Sequence, residues 1–411
     1  MAGDAEEVIL NDKQKIGLKE SFARLNLFEG AVRSGKSVIA NVRWLDYVLH
    51  DAPKKGDFAF TGVSNDSIIR NIINPIKDLV GTDIHYTTNP LKATLWGRKY
   101  HCFGAGSASS LTKIQGSEFA GCLSDEFTRH HKTFLEMMGT RLSIKNAKWF
   151  GTCNPDSPYH FVKTDYIDND ERDIYVQKYL IDDNPTLNTA YVNDLKNSYS
   201  GVFYDRYILG KWVLAQGAIY DFFEEKYHTI KNKDMPVAQY YAISIDYGTK
   251  NPFSAGLYGI NHESMPKVWR MKEFYYDSEQ AGRQLTDSQY ADRLDDFINS
   301  NGVRNNLGFL IIDPSALSFK QELESRGYIV TDADNSVLDG IRNQASMLQK
   351  GEYMVGEDCP QCIEDYTAYL WSDQIGIDAP IKMYDHTKDE ERYLLLTIFK
   401  NSILNYHILT K

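Results

Sequence analysis

The chain has 411 residues, 25% of them charged and 42% hydrophobic, proportions of a globular protein that exclude a disordered, collagen-like or coiled-coil chain. Lys and Arg number 45 against 56 Asp and Glu, a net charge of −11 that on its face argues against electrostatic clamping of nucleic acid. The excess is lopsided: residues 1–220 carry 26 basic and 26 acidic side chains, whereas residues 221–411 carry 19 and 30.

In chain order, the opening MAGDAEEVIL has neither the basic nor the apolar region of a leader, and no later run approaches the ~20 uncharged residues of a membrane span. A cytosolic protein is expected. The segments LNLFEG (25–30), GDFAFTGV (56–63), FAGCLSDE (119–126) and KWFGTCNP (148–155) each predict a buried strand running into a polar or Gly-rich turn. Helix-like stretches such as KSVIANVRWLDYVLH separate them, so residues 1–156 predict an α/β domain with a parallel-rich sheet and ligands at the carboxyl ends of its strands. Residues 157–215 are aromatic, carry turn signals at Asn184-Pro185 and Ser200-Gly201, and predict a small helical subdomain. From 216 a second α/β pattern follows: YYAISIDYG (240–248), SAGLYGI and PKVWRMKEFYY as strands, a helix near 286–300, the strand LGFLIIDPS (307–315) and a helix-rich end. The odd total of five cysteines describes no disulfide framework, and Cys359 and Cys362, at half a zinc site's spacing without a second half, read as small buried residues.

The chemistry begins at GAVRSGKS, Gly30 to Ser37, which fits the phosphate-binding pattern GxxxxGK[ST] between an apolar strand and a helix. Backbone N–H groups of Gly30, Arg33, Ser34 and Gly35 and the helix start would face the phosphates, Lys36 would reach the β and γ phosphates, and Ser37 would meet Mg²⁺. The strand FAGCLSDEF supplies the acidic partner: Asp125 for the Mg²⁺ shell and Glu126 to polarise a water. A second acid beside the metal ligand suits water rather than a substrate hydroxyl as acceptor, so ATP hydrolysis is expected. Thr152 and Asn154, ending KWFGTCNP, are placed to sense the γ phosphate.

In the second half, Asp246 and Asp313 each close a strand, a rigid place from which a carboxylate emerges at the rim. A third ligand lies among Asp385, His386, Asp389 and Glu390, where four-residue spacings fit two different helix faces and spacing alone does not choose. Two Mg²⁺ or Mn²⁺ ions ~4 Å apart on such acids would activate a water and stabilise the leaving oxygen of a phosphodiester.

Taken together and in this order, the motifs resemble those of the large terminase subunit of tailed bacteriophages, an ATP-driven motor and nuclease that packages DNA. GAVRSGKS resembles its Arg-bearing Walker A loop, LSDE its Walker B strand with catalytic glutamate, GTCNP its coupling motif, and RYILGKWVLAQGAIYDFF its passage into the nuclease. LNDKQKIGL is similar to the adenine-side segment, which implies a base contact for Gln14. For residues 216–411 the resemblance implies an RNase H-like fold, with Asp246, Asp313 and, from DHTKDEERYLLL, Asp389 as metal ligands and His386 as auxiliary. Implied partners are double-stranded viral DNA, the portal, the small terminase subunit and further copies in a ring, in the host cytoplasm and transiently on the procapsid. The family's motors use an arginine in trans, for which Arg33, Arg129 and Arg141 are candidates; in KIQGSEF, where relatives carry an Arg, only Lys113 is basic. The competing readings are a repair or restriction ATPase with an attached nuclease, and an ATP-binding assembly factor whose C-terminal acids are a solvated surface. A helicase would need a second RecA-like motif series, which residues 221–411 do not show.

Overall fold

All six residues of Leu25–Gly30 (β1) are buried, as in a strand covered on both faces. The computed structural model describes residues 9–81, 84–248, 251–372 and 378–399, so residues 1–8 of the stretch read for a leader lie outside the described residues. The chain forms two compact units, one of residues 1–192 and 202–214, the other of residues 193–201 and 215–411.

The first unit is built on β1, β2 (Asp57–Gly62), β3 (His85–Thr88), β4 (Leu91–Leu95), β5 (Arg98–Gly104), β6 (Phe119–Ser124), β7 (Lys148–Cys153) and β8 (Ile174–Tyr179). They lie in the order β3-β4-β5-β2-β6-β7-β1-β8. From β5 to β8 every neighbouring pair is parallel, while β3, β4 and β5 form an antiparallel edge. Helix Lys36–Asp46 lays Ile39, Ala40, Arg43 and Trp44 against the sheet. The Trp44 ring meets Phe58 edge-on at 5.3 Å and Phe150 at 5.9 Å between centroids, a favoured aromatic geometry at the centre of this core.

Two features depart from the sequence expectations. The aromatic stretch 157–215 holds short helices, Thr189–Asn197 and Gly201–Tyr207, but also β8, which pairs with β1 along its whole length. As an edge strand, IYVQKY is mostly half-buried and shows no apolar run. The β3–β4 hairpin escaped for the same reason, since all four residues of β3 are exposed.

The second unit contains β9 (Thr229–Ile230), β10 (Tyr240–Asp246), β11 (Phe253–Ile260), β12 (Val268–Tyr276), β13 (Leu307–Ile312), β14 (Val330–Asp332) and β15 (Tyr353–Gly356), ordered β14-β13-β10-β11-β12-β15-β9. An antiparallel meander β10-β11-β12, with β13 parallel to β10 and β14 parallel to β13, gives the RNase H-like α/β arrangement. Helix Asp287–Ser300 starts with a capping box between Thr286 and Gln289 and buries Tyr290, Leu294 and Ile298 at four-residue spacing. The pairing of Ile245 with Ile312 brings the next residues, Asp246 and Asp313, out side by side at the same sheet edge.

Candidate functional sites

The first site forms where β1, β6 and β7 end together. Gly30 leaves β1 at φ +132°, and a Cβ there would stand 1.9 Å from the Tyr179 carbonyl oxygen, so only glycine fits. Gly35, at φ +84°, starts helix Lys36–Asp46. Lys36 is buried, and its ammonium donates to the Ala31 carbonyl (2.8 Å) and to Asn154 Oδ1 (2.7 Å). Burial pulls its pKa down to about 8, opposed by Cys153 and by the nearby carboxylates of Asp125 and Glu126. A buried lysine with so few partners favours an anion beside it.

Asp125 is held on three sides: its N–H donates to the Thr61 carbonyl (2.9 Å), and its carboxylate accepts from the Thr152 hydroxyl (2.7 Å) and the Asn71 amide (2.8 Å). Glu126 turns the chain off the strand in the left-handed region, at φ 55° and ψ 53°. Its N–H donates to Thr152 Oγ1 (3.3 Å), and its carbonyl lies 3.1 Å from His130 Nδ1. Burial draws His130 down to about 4, partly offset by that carbonyl, so the ring is neutral at physiological pH. Gln14 stands against the loop: its nitrogen donates to the Gly35 carbonyl (3.1 Å) while its oxygen accepts from Asn11 (3.0 Å). Arg33 and Ser37 are exposed, and the buried Ser34 hydroxyl has no partner among the described residues.

The second site lies at the edge where β10 and β13 end. Asp246, Asp313, Asp385, His386 and Asp389 line one cleft of about 650 Å³. His386 Nδ1 is 2.7 Å from Asp246 Oδ2. Asp313 accepts from the Ser315 N–H (2.7 Å) and the Asn335 amide (3.1 Å), and Arg392 pairs with Asp389 (2.7 Å) while donating to the Asn335 carbonyl (2.9 Å). Asn335 and Arg392 thus tie the second and third carboxylates together. Burial pushes Asp246 up to about 6 against the His386 hydrogen bond. Burial works against charge on His386, yet the hydrogen bond and charge of Asp246, with Asp385 and Asp389, raise it above the ordinary imidazole value. For Asp313, hydrogen bonds from Ser315, Asn335 and Tyr393 outweigh burial and lower it.

Oxygen donors of this kind suit a hard divalent cation. Among the described residues, no three Asp, Glu, His or Cys side chains gather into a group able to hold an ion by themselves. Water and phosphate oxygens would therefore complete any shell, as Mg²⁺ prefers.

The protein-family model described as the terminase large subunit, T4likevirus-type, N-terminal, matches residues 27–227. The large terminase of the thermophilic bacteriophage D6E has a solved structure 31% identical to this chain, with a TM-score of 0.87 over 95% of this chain and 99% of that one. The chain belongs to the large-terminase family. Structures of the same D6E large terminase in complex with ADP and with ATP-gamma-S match at TM-scores of 0.86 and 0.85, each 31% identical over 95% of this chain and 99% of that one. Comparison with curated proteins returns no match.

Within this large-terminase chain the structure gathers Gly30, Gly35, Lys36, Asp125, Glu126, Thr152 and Asn154 at one sheet edge, with Gln14 behind the loop. It separates Asp389, which lines the cleft, from Glu390, which faces the sheet and pairs with Arg270 in a buried ion pair. Arg33 and Arg129 are exposed, as is Lys113, and Arg141 lies 2.9 Å from the Met137 sulfur. Cys359 and Cys362 are buried thiols. Asn71, Thr61 and His130 on the first site and Asn335 and Arg392 on the second were missed. Only Arg392, three residues after Asp389 on one helix, carried a local signal.

The Glu390 pairing anchors the helix that carries His386 and Asp389. Burial pushes the Glu390 carboxyl up to about 7, against the Arg270 charge, and the Ser244 hydroxyl donates to its backbone carbonyl (2.7 Å). Arg270→Met should destabilise the protein by ~3–5 kcal/mol, because a buried carboxylate loses its partner. Urea unfolding followed by circular dichroism should show that loss, with part of it recovered in Arg270→Met/Glu390→Gln.

Proposed function

We propose that the chain is the packaging motor subunit of a tailed bacteriophage, hydrolysing ATP at the first site to drive double-stranded DNA through the portal into the procapsid and cutting concatemeric DNA at the second. The observation that carries this reading is the meeting of Lys36, Asp125, Glu126 and Asn154 at the shared ends of β1, β6 and β7 in a large-terminase fold. Lys36 binds the β and γ phosphates, and the loop from Gly30 through Arg33, Ser34 and Gly35 turns its N–H groups toward them. Ser37 and Asp125 would hold Mg²⁺, which supplies charge neutralisation on the phosphates when bound. Glu126 takes the proton of the attacking water. Asn154, bonded to Lys36, feels the loss of the γ phosphate, and the short helices within 157–215 act as the lid that responds. The ATPase role belongs to residues 1–156 and the nuclease role to residues 216–411.

In the cleft, Asp246, Asp313 and Asp389 would hold two Mg²⁺ or Mn²⁺ ions, which supply an activated water and stabilise the leaving oxygen. His386 orients Asp246, and Arg392 and Asn335 orient the other two carboxylates. The small terminase subunit and further copies in a ring on the portal are the proposed partners, in the host cytoplasm. No helix among the described residues is long and apolar enough to cross a membrane.

The test uses the full chain. ATP hydrolysis should rise when procapsids and small terminase subunit are added, and plasmid should be cut in Mn²⁺. An ATPase indifferent to procapsids would count against the motor, and plasmid left intact by the folded protein would count against the nuclease.

A further inference from the structure

Four hydrogen bonds run in series beneath the carboxyl end of β6. Trp149 Nε1 lies 2.8 Å from Ser124 Oγ, Ser124 Oγ 2.6 Å from Thr61 Oγ1, Thr61 Oγ1 2.9 Å from His130 Nε2, and His130 Nδ1 3.1 Å from the Glu126 carbonyl oxygen. The series crosses β7, β6 and β2 and ends on the turn after β6. All four side chains are buried, so water does not compete for their protons.

The two ends fix its direction. An indole N–H only donates and a carbonyl oxygen only accepts. Ser124 therefore accepts from Trp149 and gives its proton to Thr61, Thr61 gives its own to Nε2, and the ring carries its single proton on Nδ1, toward Glu126. The Cys122 thiol, 3.6 Å from Ser124 Oγ, is a weaker partner and leaves this order intact. A ring protonated on both nitrogens would take away the acceptor that Nε2 offers to the Thr61 proton. Thr61 also holds the neighbouring acid, since its carbonyl accepts the Asp125 N–H at 2.9 Å.

What the series supports is an uncommon conformation. Glu126 is a non-glycine residue at φ 55°, and such a residue persists where its surroundings over-determine it. Both its backbone groups are held, the N–H by Thr152 and the carbonyl by the Arg129 N–H (2.8 Å) within the turn and by the His130 ring from the neighbouring strands' side. We propose that His130, fixed by the Trp149–Ser124–Thr61 series, is a positioning residue that keeps Glu126 in the left-handed turn from which its carboxylate addresses the attacking water. This rests on the reading of Glu126 as general base given above.

Thr61→Val removes the hydroxyl at nearly constant volume, Thr61→Ser retains it, and His130→Phe keeps the ring contacts with Phe127 and Phe134. In the full-length protein, Thr61→Val and His130→Phe should each lower kcat for ATP hydrolysis about 10- to 100-fold, the scale of a misplacement of ~1 Å. ATP-gamma-S affinity should stay within about twofold, because the series touches no group on the phosphates. Thr61→Ser should hydrolyse like wild type, and the double variant should be no slower than the slower single one, since both break the same series. Undiminished hydrolysis by Thr61→Val, or two losses that multiply in the double variant, would overturn the proposal. If Thr61→Val does not fold, Ser124→Ala decides by the same readouts. Hydrolysis surviving in Glu126→Gln would instead overturn the general-base reading on which the proposal stands.

Discussion

Glu126→Gln is expected to reduce ATP hydrolysis about 10²- to 10⁴-fold, the usual contribution of a positioned general base, while leaving nucleotide binding intact. The amide has the shape of the carboxylate but does not take the proton of water. The backbone of the turn should not move, because its conformation is held by Thr152, His130 and the Arg129 N–H through main-chain groups that the substitution does not alter. Nucleotide affinity should persist because Lys36, the Gly30–Ser37 loop and Asp125 are unchanged. Phosphate release and ATP-gamma-S titration measured on the same protein separate these effects. Equal loss of binding and hydrolysis would show that Glu126 holds the nucleotide rather than activating water.

The second large effect is expected at Asp246. Altering a group that merely orients a metal ligand costs about 10- to 100-fold in affinity or activity, so removing a ligand itself should cost at least about 100-fold. Asp246→Asn should abolish Mn²⁺-dependent plasmid cleavage to that extent and weaken Mn²⁺ binding measured by calorimetry. His386→Ala, which removes only the partner 2.7 Å from Asp246, should fall in the smaller range. ATP hydrolysis serves as the folding control, because Asp246 and the phosphate-binding loop belong to different compact units. Cleavage that survives Asp246→Asn would remove Asp246 from the ligand set.

How much of this was legible in the sequence depended on how local the chemistry is. GAVRSGKS is contiguous, and LSDE and IIDPS show their acids at the ends of apolar runs, so both sites could be placed from strand ends alone. The third carboxylate was different. Asp389 and Glu390 are one residue apart, yet one lines the cleft and the other is buried against Arg270, a choice made by how the helix packs and not by the spacing of its acids. Resemblance to a family pointed to Asp389 where periodicity was silent. Thr61, Ser124, His130 and Trp149 gave no signal at all, because a series across three neighbouring strands joins residues 63 and 69 positions apart in the chain. The edge strands β3 and β8 were missed because an edge has no need of the apolar pattern that announces a central strand.

The charge asymmetry also reads differently once the second site is drawn. Part of the acidic excess of residues 221–411 lines a cleft suited to divalent cations. The remainder disfavours non-specific capture of DNA by that unit, so that on the proposed nuclease reading cutting depends on DNA being delivered to it.

The placement of β8 has a consequence for local opening. The phosphate-binding loop leans on this strand and on the turn that follows it: the Ala31 N–H donates to the Tyr179 carbonyl (2.8 Å), and the Asn184 amide donates to the Arg33 carbonyl (2.8 Å). A strand at the sheet's border separates at a lower free energy than those inside it. Peeling β8 from β1 would slacken the loop while the pairings of β1 with β7 and of β7 with β6 stay closed. The order of the nucleotide loop is thus capped by the cheapest fluctuation of its neighbour, and a ligand that fastens the loop is expected to protect the amides of Ile174–Tyr179 as well.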